Sequence, residues 1–209
     1  MNTAFIIKSI LTVQEAILSN ESEIESLDRA IGDGDHFINV RRGCEVIVAM
    51  VEELKTEIPS QVFHKIGMKL LSTIGGASGP LISSFFMAMG KSLGDVSQPT
   101  RAEFAVAFAA GVDAIKLRGK ADLGEKTMLD VLIPAARLLQ NFATEDITLT
   151  KLCKLLKADA TSNMLFTKGM IATKGRAHFL GERAIGHIDP GSKTCEVAIG
   201  AVCDLLITE

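Results

Sequence analysis

The chain has 209 residues, 47% of them hydrophobic and 22% charged, with a formal net charge of −3 and neither tryptophan nor tyrosine. That length suits one sizeable core, so a single domain over residues 1–209 is expected. The scattered basic residues argue against nucleic acid as a partner, and the apolar runs are too short and too broken to span a bilayer.

The opening MNTAFIIKSILTVQE has the look of a short secretory segment. Its Phe5, Ile6, Ile10, Val13 and Ile17 instead recur at helical spacing, with no basic flank or cleavage site, which predicts a packed helix over 3–19. Ser22 and Glu25 read as a capping box for a short second helix. Gly32 and Gly34 stop helical structure and put Asp33 and Asp35 on a turn. Helical spacing resumes at Phe37, runs through Val40, Cys44, Ile47, Val48 and Val51, and breaks at Pro59. A helix over 61–73 enters the run Gly75-Gly76-Ala77-Ser78-Gly79-Pro80, and another follows over 81–89, capped by Ser78 or Gly79 with Pro80 in its first turn. Residues 92–100 form a loop, 101–117 a helix and 118–128 a polar, glycine-punctuated loop. In the next helix, 129–139, Pro134 predicts a kink or a boundary. One or two helices over 149–172, a long loop over 173–193 and a closing helix over 194–207 complete the chain. No stretch alternates as a strand does, so the predicted class is all-α, with the unusual loops meeting at one end of a bundle. Cys44, Cys153, Cys195 and Cys203 form no CxxC pair and read as free thiols, which makes the cytoplasm the expected compartment.

Three places carry chemistry. Asp28, Asp33 and Asp35 crowd one turn, and close carboxylates repel by roughly 4 kcal/mol at about 4 Å and an effective dielectric near 20. They are either a solvated acidic turn or a site for a hard, oxygen-loving cation. A calcium loop counted from Asp33 would need glycine at Ile38 and glutamate at Cys44, so magnesium with a nucleotide phosphate as co-ligand is the version that survives. The glycines at 75–79 precede a helix, where backbone N–H groups and the helix dipole favour an anion, although a tight interhelix turn accounts for them equally. Arg176 can place a fork on phosphate, while Asp189 and Ser192 could serve simply to cap the last helix. Zinc is disfavoured, because no His or Cys stands at ligand spacing.

Taken together, the runs LDRAIGDGDH, IGGASGPL, RGKADLGEKTMLDVLIPA and TKGRAHFLGERAIGHIDPGSK resemble the L subunit of dihydroxyacetone kinase, in order and in spacing. The resemblance implies an eight-helix antiparallel barrel with a nucleotide, ADP or ATP, at one end. Asp28, Asp33 and Asp35 would hold two magnesium ions. His36, Phe37, Ile38 and Asn39 would touch the nucleotide, Ala77 and Ser78 its phosphates, and Gly119 and Met128 the adenine side. Arg176, Asp189, Pro190 and Gly191 would close the pocket, with 119–123 as a lid. The base that activates the triose would come from a K subunit, so no catalytic base is expected on this chain. A phosphohistidine M subunit fed from phosphoenolpyruvate would rephosphorylate bound ADP, and a homodimer is a further possibility. The alternatives are the L subunit of an ATP-dependent or paralogous hydroxyketone kinase, or a nucleotide-state sensor that docks on a regulator. Two departures stand out. Phe37 replaces a glycine usual after the histidine, which predicts crowding beside the metals, and Ile82-Ser83 replace an aromatic–glycine pair.

Overall fold

A computed structural model describes residues 2–76 and 78–208. They form α1 (Thr3–Ser19), α2 (Glu21–Ile31), α3 (His36–Val48), α4 (Val51–Leu54), α5 (Pro59–Thr73), α6 (Ser78–Leu93), α7 (Arg101–Gly119), α8 (Leu129–Asn141), α9 (Leu149–Phe166) and α10 (Pro190–Thr208). Two 3-10 segments, Thr167–Gly169 and Arg176–Ala184, lie between α9 and α10. No strand occurs among the described residues, so the all-α class is as expected. None of the described helices is long and apolar enough to cross a membrane.

Packing follows a closed circuit. Helix α1 lies on α3, α3 on α5, and α5 through α10 each on the next, until α10 returns to α1. Helix α2 sits beside α3 and α10, and α4 beside α1, outside that circuit. Leu54, Val62, Ile66, Leu70, Ile115 and Leu129 belong to the main core and are each at most 2% exposed. Small residues let the backbones approach closely where α5 meets α6: a Cβ on Gly90 would stand 2.6 Å from the Ser60 carbonyl, and one on Gly67 2.9 Å from that of Ser83. Phe85 meets Phe86 and Phe108 edge-on, at centroid distances of 5.3 and 5.4 Å, and supplies the bulk that tryptophan and tyrosine do not.

Several boundaries depart from expectation for local reasons. The Ser22–Glu25 capping box does not form: α2 begins at Glu21, directly after Asn20, whose side chain donates to the Ala16 carbonyl instead. Helix α3 stops at Val48, after the β-branched run Val46-Ile47-Val48, and the pattern resumes only as the single turn α4. Pro59 does not break a helix but starts one, at the position where its missing N–H costs nothing. Pro134 lies inside α8, which runs on past it because Ile133, Ala135 and Ala136 are buried on either side. Helix α10 starts four residues earlier than expected, at Pro190.

Candidate metal and phosphate centre

The α2–α3 and α7–α8 connections are each tied to the α9–α10 connection, and the end of α7 is tied to the start of α6. Asp28 lies in the last turn of α2 and is 4% exposed; its Oδ2 accepts the His36 backbone N–H at 3.0 Å. Asp33 and Asp35 flank Gly34, whose φ of +79° permits the reversal between the two helices. One carboxylate oxygen from each of Asp28, Asp33 and Asp35 lies within 4.8 Å of the others. Asp35, an exposed residue, is held above its ordinary pKa first by partial desolvation of its carboxyl, then by the hydrogen bond and charge of Asp33, while a hydrogen bond from the Asn39 side chain acts the other way. Anions gathered at this cost, with oxygen as the only donor type, fit a hard cation. Asp33 also pairs with Arg176, whose Nε is 2.7 Å from Oδ2.

His36 opens α3 and joins it to α10. Its Nε2 lies 2.8 Å from Thr194 Oγ1, and the Thr194 hydroxyl proton goes to the Pro190 carbonyl, so Nε2–H is the donor to Thr194. Burial lowers the His36 pKa, with Asp28 and Asp35 opposing. Phe37 does not crowd the carboxylates: it is 1% exposed and packs inward with Ile17, Ile24 and Val197, leaving only its backbone to face the centre. The crowding expected from replacing the glycine is therefore absent, because the first turn of α3 rotates that side chain into the core. Ile38, by contrast, is exposed.

On the glycine turn, Ser78 is the first residue of α6, and Ala77 lies outside the described residues. A Cβ on Gly79 would stand 2.2 Å from the Ile74 carbonyl, so only glycine closes this turn. Ser83 is buried and returns its hydroxyl to the Gly79 carbonyl at 2.7 Å, so the departure at Ile82-Ser83 is absorbed within α6. Arg118 Nε reaches the Pro80 carbonyl at 3.1 Å, and a Cβ on Gly119 would be 3.2 Å from Leu81 Cδ2, which sets the end of α7 against the start of α6. The 119–123 stretch expected as a lid is a turn braced by the Lys116–Asp122 ion pair (3.1 Å) and the Asp122 N–H to Glu125 Oε2 bond (2.7 Å).

Helices α8 and α10 start side by side. Ser192 Oγ donates to the Thr127 carbonyl at 2.7 Å, and a Cβ on Gly191 would be 3.5 Å from Met128 Cβ. Asp189 caps α10 by accepting the Ser192 N–H at 2.7 Å. Burial pushes its carboxyl up to about 6, against the hydrogen bonds from Ser192. A carboxyl whose folded pKa lies above its unfolded value weakens the fold as pH rises between the two. The difference in melting temperature between Asp189→Asn and the parent should therefore grow in favour of Asn from about pH 4 to about pH 6 and level off above, an effect of up to about 3 kcal/mol. A difference that does not change with pH would remove this assignment.

Sequence reading missed Lys126, Asp130 and Thr167. Lys126 is 1% exposed; its Nζ donates to the carbonyls of Thr167 (2.7 Å) and His187 (2.5 Å). Asp130 holds the N–H groups of Gly124 and Thr127 at 2.5 and 2.7 Å. The signal available was a lysine and an aspartate within a glycine-punctuated loop, which reads equally as a solvated surface.

Fold and site together define an all-helical protein, among the described residues, with three clustered carboxylates at the α2–α3 turn that could hold a cation. The chain belongs to the DAK2 domain family, which matches residues 30–204. It is 40% identical over 180 residues to the "PTS-dependent dihydroxyacetone kinase, ADP-binding subunit DhaL" of Lactococcus lactis, covering 86% of this chain and 85% of that one. Identity to the "PEP-dependent dihydroxyacetone kinase, ADP-binding subunit DhaL" of Escherichia coli is 38% over 177 residues, with 84% of each chain covered. The structure resembles the crystal structure of the dihydroxyacetone kinase from C. freundii in complex with AMP-PNP and Mg2+, with a TM-score of 0.77 and 24% identity. That match covers 97% of this chain but 34% of the longer one, and it speaks to the fold alone.

Proposed function

We propose that this chain is the nucleotide-binding subunit of a phosphoenolpyruvate-dependent dihydroxyacetone kinase. The observation that carries the reading is the meeting of Asp28, Asp33 and Asp35 within 4.8 Å, in a chain nearly 40% identical to ADP-binding subunits of such kinases. The three aspartates would hold magnesium, as two ions in the fuller version of this proposal; the metal supplies charge neutralisation along the phosphates of a bound ADP. The Ser78 backbone and the Arg176 guanidinium would bind phosphate oxygens, with Arg176 leaving Asp33 to do so. Gly119 and Met128 would border the adenine. His36, Ile38 and Asn39, with the Phe37 backbone, would line the centre, and Asp189, Pro190 and Gly191 would close the pocket. Phosphoryl transfer asks a protein mainly to orient groups and neutralise charge, and nothing in this reading requires a base from this chain. A K-type subunit would present the triose and a phosphohistidine M-type subunit would recharge the ADP, in a reducing cytoplasm that suits four free thiols.

Partner docking has its own support. Phe179 is 78% exposed on the Arg176–Ala184 segment, and Ile38 in the first turn of α3, Leu123 on the α7–α8 connection, and Ile171 and Ile185 on the α9–α10 connection are each more than 40% exposed. We read these exposed apolar side chains as part of the surface that a partner subunit would cover. Phe179→Asp should leave ADP retention unchanged and lower coupled turnover with a K-type subunit about tenfold, through a higher KM for that partner (about 1.4 kcal/mol). Unchanged coupled kinetics would exclude this face.

Native mass spectrometry of the purified chain tests the main reading. ADP should be retained in magnesium and released by a chelator. A chain that carries no nucleotide, and binds none when magnesium and ADP are added, overturns it. Prompt exchange with free ATP, supporting turnover with a K-type subunit alone, would instead assign the chain to an ATP-dependent kinase.

A further inference from the structure

Among the described residues, seven polar or charged side chains are buried, and four of them, Lys126, Asp130, Thr167 and Ser192, belong to one network beneath the α7–α8 connection. Lys126 is its centre. Its backbone adopts a φ of +60°, a left-handed conformation that side-chain-bearing residues rarely adopt without compensation. Its ammonium donates to carbonyls of two stretches at once, Thr167 at the end of α9 and His187 just ahead of α10, beside the Gly186 N–H to Lys168 carbonyl bond (2.8 Å) that also joins them. Thr167 Oγ1 in turn accepts the Asp189 N–H at 3.0 Å, and Ser192 Oγ reaches back to the Thr127 carbonyl. Asp189 and Asp130 are the anions near enough to favour the lysine's charge.

A lysine is an expensive choice for filling this space. Burying an ammonium costs several kcal/mol unless it is fully paired, and methionine would occupy a similar volume without that cost. The charge does what methionine cannot: it draws two carbonyls toward one point and so fixes the α7–α8 connection relative to the start of α10. The first of these carries Met128 and the second Asp189, Pro190 and Gly191, which face each other at the closest approach of Gly191 to Met128. Among the described residues, Lys126 Nζ donates to the Thr167 and His187 carbonyls and to no residue of the aspartate cluster or the glycine turn.

We propose that Lys126 is a positioning residue for the nucleoside half of the nucleotide site: it sets the spacing between Met128 and the Asp189–Pro190–Gly191 turn, and leaves the phosphate and metal half to stand by itself. This inference rests on the proposed nucleotide function. The full chain is tested as Lys126→Met, with binding of ADP and of inorganic pyrophosphate each measured by calorimetry in magnesium. ADP affinity should fall at least twentyfold while pyrophosphate affinity stays within about twofold and melting remains cooperative. A general structural role would lower both ligands together, and either that result or an undiminished ADP affinity overturns the proposal. If Lys126→Met does not fold, Lys126→Gln, which keeps a polar donor in the space, carries the same comparison with the same two readings. Asp33→Ala separates failure of the larger reading: if that variant keeps its affinity for both ligands, the metal centre is wrong, whatever Lys126 does.

Discussion

Gly32→Ala is expected to abolish magnesium-dependent ADP binding while the helical fold persists. A Cβ at position 32 would stand 1.9 Å from Asp28 Oδ1 and 2.9 Å from Asp28 Cγ. Gly32 has φ −114° and ψ −153°, extended backbone that alanine also adopts, so the conflict is with the Asp28 carboxylate and with the Asp28 backbone carbonyl, 2.9 Å away. Asp28 is buried, accepts the His36 N–H and cannot turn away freely, so it must either leave that hydrogen bond or move the loop. Both outcomes dismantle the only buried member of the cluster that meets Asp33 and Asp35. Loss of at least 100-fold in ADP affinity, about 2.8 kcal/mol, is the expected result by calorimetry in magnesium. Gly34→Ala provides the contrast: no atom lies within 4 Å of its Cβ, and the change acts only through strain at φ +79°. Its effect should be smaller, of the order of 1–2 kcal/mol, and should show in melting as well as binding. ADP affinity that survives Gly32→Ala unchanged would mean that Asp28 is not a ligand.

Asp33→Ala should reverse sign with the metal. In magnesium the variant loses one of three carboxylates, and ADP affinity should drop at least 100-fold. In a chelator the balance changes. The anion that opposed phosphate is gone, and Arg176, no longer held at 2.7 Å by Asp33, is free to take it. Weak metal-free ADP binding should therefore improve, by about threefold to tenfold, in keeping with an exposed ion pair worth less than about 1 kcal/mol plus the removed repulsion. Equal affinities for variant and parent in magnesium would remove the metal-site assignment. A fall in both conditions would show instead that the Asp33–Arg176 pair shapes the pocket.

Much of this was legible in the sequence. Helical spacing and the absence of strand alternation specified the class, because burial of one face is a local demand that the pattern must satisfy. Glycines at 32, 34 and 75–79 marked the turns, and Asp28, Asp33 and Asp35 could be picked out because they lie close along the chain as well as in space. The Asp189–Ser192 cap was readable for the same reason. Phe37 was not. Whether it crowds the carboxylates or fills the core depends on which face α3 turns to Ile17, Ile24 and Val197, two of them on α2 and α1 and the third on α10.

The sequence by itself determined the all-helical class, the acidic turn and the family, since each is written in neighbouring residues. Tertiary structure alone decided which loops share an end, that Arg176 faces Asp33, that His36 is anchored by Thr194, and that Lys126 is buried among carbonyls 41 and 61 residues away. The physical reason is the range of the interactions. Helix periodicity, capping and turn chemistry act over a few residues, whereas burying a charge depends on partners that only the closed ring of helices brings within reach.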